Sequence, residues 1–183
     1  MTLGGLDHVR RNPRSCARWL TSAGVVDGAD VGVALHDHVL TVLDVRFAPP
    51  PPDLPDYPAE QVRVAVTPQG WIAAVPVDGE TRRWLHRNPR CPTHQLIRLP
   101  LGADVPWEHL VGSLCLWYPR DPAHLQWHWR NGIDAYVRIV QRHLWSEEYW
   151  RRHDTWPVED APHGDLPDGR PHPILTSALR SAS

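Results

Sequence analysis

Two pairs of apolar runs, each pair closed by only a few residues, constrain this chain most. VGVALHDHVLTVLDVRF (31–47) reads as two strands rich in Val, Leu and Thr around a tight turn at His36-Asp37-His38. QVRVAV (61–66) alternates with period two, Thr67-Pro68-Gln69-Gly70 makes a turn, and WIAAVPV (71–77) returns. HQLIRLP (94–100) is a further strand, reached through the irregular HRNPRCP. Connections this short cannot contain the crossover that a parallel pair requires, so the sheet reads as an antiparallel meander. APPPPDLPDYPAE (48–60), between the two pairs, is proline-dense and reads as a surface loop or polyproline-like stretch.

Helical signals bracket the meander. Residues 7–23 read as a helix with Val9, Trp19 and Leu20 on one side, Pro13 as a point that delays its start, and Gly24 as its end. The strongest helical pattern is NGIDAYVRIVQRHLWSEEYWRR (131–152), where Ile133, Tyr136, Val137, Val140 and Leu144 recur at helical spacing and Arg and Glu fill the other positions. Residues 100–130 are irregular and punctuated by Pro100, Pro106, Pro119 and Pro122. Beyond Trp156 the composition turns to Pro, Asp, Gly and His, so residues 166–183 read as a flexible tail and residues 1–165 as one domain. The expected class is α+β: an N-terminal helix, an antiparallel meander, an irregular loop, then C-terminal helices.

At 183 residues the chain has the length of one domain with a real core. Nothing approaches ~18 uninterrupted apolar residues, so no membrane span is expected. The first residues, MTLGGLDHVRRNPRSC, lack the apolar centre of a signal peptide, and a cytoplasmic location is expected. A net charge of −2 gives no support to nucleic-acid binding as a main activity. All nineteen basic residues are arginine. The bias fits a GC-rich genome, and it also leaves the chain without a side-chain primary amine.

Three cysteines, Cys16, Cys91 and Cys115, are widely spaced with no C-x-x-C pair, which argues against a disulfide framework and a cysteine-rich zinc knuckle. Cys115 lies in GSLCLWYP (112–119), outside any periodic element. A nucleophilic thiol needs partial exposure and a means of stabilising the thiolate or the transition state. Gly112 and Ser113 supply a turn whose backbone N–H groups can face a developing oxyanion. The competing local reading makes Leu114-Cys115-Leu116 a buried strand, and taken alone the local sequence favours it, since free cysteines are usually buried. His124 and His128 have the i, i+4 spacing of zinc ligands, yet Pro122 and the neighbouring tryptophans argue against a helix there and no third ligand pattern exists, so no metal is expected. Seven of the ten tryptophans lie between residues 107 and 156. They either bury the loop against the long helix or form a partner-binding surface, with Trp117 and Trp127 as its candidates.

Gly112-Ser113-Leu114-Cys115-Leu116 resembles the G-S-[IL]-C-L active-site segment of ubiquitin-conjugating enzymes. The order of elements is also similar: an N-terminal helix, an antiparallel meander, an extended loop with the cysteine, and later helices. The likeness is closer to the bacterial ubiquitin-conjugating-like proteins, which carry L-C-L-[YW]-x-P, then a tryptophan, a helix and a W-P ending followed by P-H-G. Leu114 to Pro119, Trp127, the helix from Ile133, and TWPVEDAPHG (155–164) correspond here. The resemblance covers residues 94–164 in motifs and the N-terminal half by element order only. Each motif is short; their ordered combination turns the reading of Cys115 towards function.

The resemblance implies a ubiquitin-conjugating-like fold in which Cys115 accepts the C-terminal carboxyl of a partner protein as a thioester and transfers or releases it. It also implies that no cofactor is needed. The bacterial members occur in anti-phage operons, where the donor is a cyclic-oligonucleotide synthase, and others accompany a ubiquitin-like protein. No glycine-rich nucleotide loop occurs, so a separate activating enzyme is implied unless the protein works on a linkage already made. The eukaryotic enzymes carry His-Pro-Asn upstream of the cysteine, and its asparagine supports amide formation. Pro106-Trp107-Glu108-His109 occupies that window here, leaving His109 as the candidate hydrogen-bond donor and placing lysine ligation in doubt more than thioester formation. Two other readings compete: an inert binding module of the same fold, and an unrelated Cys–His hydrolase.

Overall fold

The computed structural model describes residues 6–22, 29–47, 60–68, 70, 72–77, 114, 116, 127–153 and 157. Helices α1 (Leu6–Arg11) and α2 (Pro13–Ser22) precede strands β1 (Ala29–His36), β2 (Thr41–Phe47), β3 (Glu60–Val66) and β4 (Ile72–Pro76). A single 3-10 turn, Trp129–Asn131, then leads into α3 (Gly132–His153). The class is α+β, as the periodicities predict. The strand candidate at 94–100, the proline-dense loop, the far end of the domain and the tail lie outside the described residues. Among the described residues no helix is long and apolar enough to cross a membrane.

The N-terminal helix differs from the expectation: it begins at Leu6 and is divided at Asn12, not delayed. Pro13 has no N–H to donate and disfavours helical backbone in the residue before it. Pro13 therefore opens a second helix at its first position, where its missing donor costs nothing. The backbone nearly carries on through the break, since Asn12 N donates to His8 O at 2.9 Å and Cys16 N to Asn12 O at 3.0 Å. One face stays buried across it, formed by Val9, Pro13, Cys16 and Leu20.

The strands form one antiparallel sheet in the order β1-β2-β3-β4, a meander. The first turn is held by Asp37, whose Oδ1 accepts from Val39 N at 2.8 Å and Leu40 N at 2.7 Å. These two bonds to the charged form lower the Asp37 pKa below the usual carboxylate value. A group with a depressed folded pKa stabilises the fold above its unfolded pKa, and that contribution is lost as pH falls through the folded value. Asp37→Asn should therefore flatten the acid limb of a stability–pH curve while leaving the alkaline limb unchanged, as followed by urea unfolding at stepped pH. The second turn closes with Gly70 N donating to Thr67 O at 3.1 Å, and Gly70 takes φ 84°, a region glycine enters freely.

The register of β1 on β2 slips between Val33 and Leu35, so Ala34 is the extra residue of a β-bulge. The slip separates the apolar side chains of β1 between two faces. Ala29 and Val31 join the main core with Leu43, Val45 and Phe47 of β2, Val62 and Val64 of β3, and the buried sides of all three helices. Leu35 instead packs on a second cluster on the opposite face, made by Leu40, Val42, Ala65 and Ala73. No glycine marks the bulge, so the alternating sequence gives no sign of it.

Helix α3 buries Ile133, Tyr136, Val137, Val140 and Leu144, the five positions its periodicity selects. Its second half departs from a simple amphipathic pattern. Gln141, Ser146, Glu147 and Glu148 are buried as well. Their burial is tolerated because each carboxylate has a partner one turn away: His143 Nε2 donates to Glu147 Oε1 at 3.1 Å, and Arg152 Nε to Glu148 Oε1 at 2.9 Å.

Candidate functional site

The described structure approaches the GSLCLWYP segment from both sides of Cys115. Leu114 N donates to Ala74 O of β4 at 2.8 Å, so the chain just before the cysteine is tied to the sheet. The Leu114 side chain is buried in the main core, and Leu116 is half-buried against the same cluster. Cys115, His109, Gly112, Ser113 and Trp117 lie outside the described residues, as do Cys91 and His124.

Trp127 takes the packing role of the two the sequence offered it. Its side chain is 8% exposed, which leaves almost nothing for a partner, and its indole N–H donates to Gly132 O at 2.9 Å. The ring meets Tyr136 edge to face, with centroids 5.2 Å apart and planes at 74°. The tryptophan after the cysteine thus fastens the incoming chain to the first turn of α3. Gly132, at φ 86°, makes the bend between the 3-10 turn and that helix. Trp129, two residues on, is 57% exposed with the Arg130 guanidinium 5.2 Å from its ring centroid, so of this pair it is Trp129 that meets solvent.

His128 is exposed, and its backbone N–H donates to Asn131 Oδ1 at 2.8 Å. Among the described residues no group of three His, Cys, Asp or Glu side chains is placed to hold a metal ion.

Cys16 separates from the other thiols. It sits fully buried in the core, and burial, aided by the Asp134 carboxylate, pushes its thiol up to about 11. A thiol so protonated and enclosed is a poor nucleophile at neutral pH. Maleimide labelling of the native protein followed by peptide mass mapping should leave Cys16 unmodified until denaturant is added. Labelling of Cys16 at the rate of a free thiol would contradict its place in the core. Burial also raises the Tyr136 phenol far above its ordinary value, so this ring stays neutral and serves packing.

Two features of this region run against the local residue types. The anchoring of Leu114 to Ala74 joins residues forty positions apart in an irregular stretch, and the burial of Glu147 and Glu148 falls on charged residue types, although their positions three and four beyond Leu144 continue the buried stripe. No family model matches the chain, and neither a curated protein nor a solved structure matches it.

Proposed function

We propose that this chain is a ubiquitin-conjugating-like acyl carrier whose nucleophile is Cys115. The observation that carries the reading is the seating of the residues on either side of that cysteine. Leu114 is hydrogen-bonded to β4 and buried, and Leu116 packs on the same core. The reading requires an accessible Cys115 thiol between these two seated leucines, in contrast to the enclosed and protonated thiol of Cys16. The order of helix, antiparallel meander, cysteine segment, buried tryptophan and long helix supports the same fold.

In this mechanism the Cys115 thiolate attacks an activated C-terminal carboxyl of a donor protein. The C–S bond forms as the activating group leaves with its electron pair, giving a thioester. An incoming amine or water then attacks the thioester carbonyl, and the tetrahedral intermediate collapses with departure of the Cys115 thiolate. Backbone N–H groups of Gly112 and Ser113 are the candidates to receive the oxyanion, and His109 the candidate donor where the eukaryotic enzymes use asparagine. The donor class favoured by the resemblance is the C-terminus of a cyclic-oligonucleotide synthase in an anti-phage system, with a ubiquitin-like protein as the other choice.

Co-expression with the proteins encoded beside it, followed by denaturing electrophoresis without reductant, tests the reading against an inert binding module. The carrier predicts a partner joined covalently to wild type and absent from Cys115→Ala under denaturing conditions. If the Cys115→Ala protein retains the same partner under native conditions as wild type, and neither forms a covalent species, the protein is a binding module.

A further inference from the structure

An open groove of ≈ 670 Å³ lies between the α1–α2 junction and the bulged end of β1, the sheet edge opposite β4 and the Leu114 contact. Arg11, Arg14 and Arg18 line one wall, His36 stands at the end of the strand, and Val33 and Leu35 contribute apolar surface. Among the described residues no carboxylate lines it. The three arginines follow from the helix geometry: positions 11, 14 and 18 share the face opposite Val9, Cys16 and Leu20, because the helical path nearly continues through Asn12. Arg11 is only loosely held, its Nη2 lying 3.7 Å from Asp7 Oδ2 with both side chains exposed. Among the described residues Arg14 and Arg18 form no ion pair.

His36 is oriented from below. Its Nδ1 and the buried Thr41 hydroxyl are hydrogen-bonded at 2.9 Å, which leaves Nε2 as the ring nitrogen for a ligand. The bulge at Ala34 turns Leu35 away from the main core, and it lies beside the arginines together with the half-buried Val33. Bulges at sheet edges commonly re-aim side chains in this way.

We infer that this cavity binds a small phosphorylated molecule that also carries an apolar or planar portion, a nucleotide being the simplest with both. Guanidinium groups recognise phosphate oxygens through paired N–H donors. The volume falls within the ~300–1,000 Å³ of ligand pockets, and the mix of charge and apolar surface fits a compact ligand better than an acidic protein face, which would need no concavity. The site uses no residue of the thioester reading, so either can fail alone.

Calorimetric titration of the full chain with adenosine diphosphate, at low and high salt, tests the inference. Saturable binding is expected that weakens with salt, is competed by inorganic phosphate, and falls at least about tenfold in Arg14→Ala/Arg18→Ala, as loss of charged phosphate contacts requires. Both arginines are exposed, so the double variant should keep the wild-type unfolding midpoint. Absence of saturable binding to wild type, equal binding of unphosphorylated adenosine, or unchanged affinity in the double variant would each overturn the assignment. Tighter binding of a glutamate-rich peptide that displaces the nucleotide would overturn it in favour of an acidic protein partner.

Discussion

Trp127→Ala is expected to remove ~3–5 kcal/mol of stability, the usual cost of truncating a large buried aromatic, where a domain of this kind has only about 5–15 kcal/mol in total. Three losses combine. The core cluster loses a nearly enclosed indole, Tyr136 loses its edge-to-face neighbour, and Gly132 O loses a buried donor. Trp127→Phe separates them, because it retains most of the apolar contact and removes only the N–H, at a cost of about 1 kcal/mol or somewhat more. Trp129→Ala should change stability little, within about 0.5 kcal/mol, since that ring is largely exposed. Urea unfolding followed by far-ultraviolet circular dichroism reads all three. Equal effects at Trp127 and Trp129 would contradict the burial of the first.

The legible parts of the fold are those where local chemistry and tertiary packing agree. The Val, Leu and Thr content of 31–47, the period-two alternation of 61–66 and the short turns at Asp37 and Gly70 marked all four described strands and their antiparallel order. The apolar spacing of Ile133 to Leu144 defined the buried side of α3. Pro13 was visible as an irregularity, but whether it delays or divides a helix depends on whether the residues before it have a core to pack on. Val9 does, and so α1 forms. The bulge at Ala34 was invisible because an alanine in an alternating run carries no backbone signature. Glu147 and Glu148 continue the apolar stripe of α3 by position but not by residue type, and their burial goes with ion pairs one turn away, to His143 and Arg152.

The candidate site rests on a different kind of signal. No periodicity identified Cys115; the ordered motifs around it did. Two residues apart, Trp127 and Trp129 have the same chemistry and opposite fates, decided by which of them precedes the 3-10 turn that redirects the chain. The seating of Leu114 on β4 arises from a non-local hydrogen bond that no short motif encodes. The cavity beside Arg14 and Arg18 belongs to the same class, because the arginine spacing is local and the strand that completes it is not.

On the acyl-carrier proposal, Cys115→Ala should abolish carriage outright, since the C–S bond forms on that thiol. Cys115→Ser should either carry the acyl group as an ester resistant to reductant or carry none, the alkoxide being harder to generate than the thiolate. With no lysine in the chain, an acyl group leaving Cys115 has no side-chain amine of the same molecule to settle on, so carriage should remain reversible. Intact-mass spectrometry of wild type and both variants, each co-expressed with the neighbouring proteins and measured with and without thiol reductant, tests the central claim most directly. A protein adduct that reductant removes from wild type and that never forms on Cys115→Ala is the predicted result. A wild-type protein without any adduct, or an adduct that persists on Cys115→Ala, would contradict it.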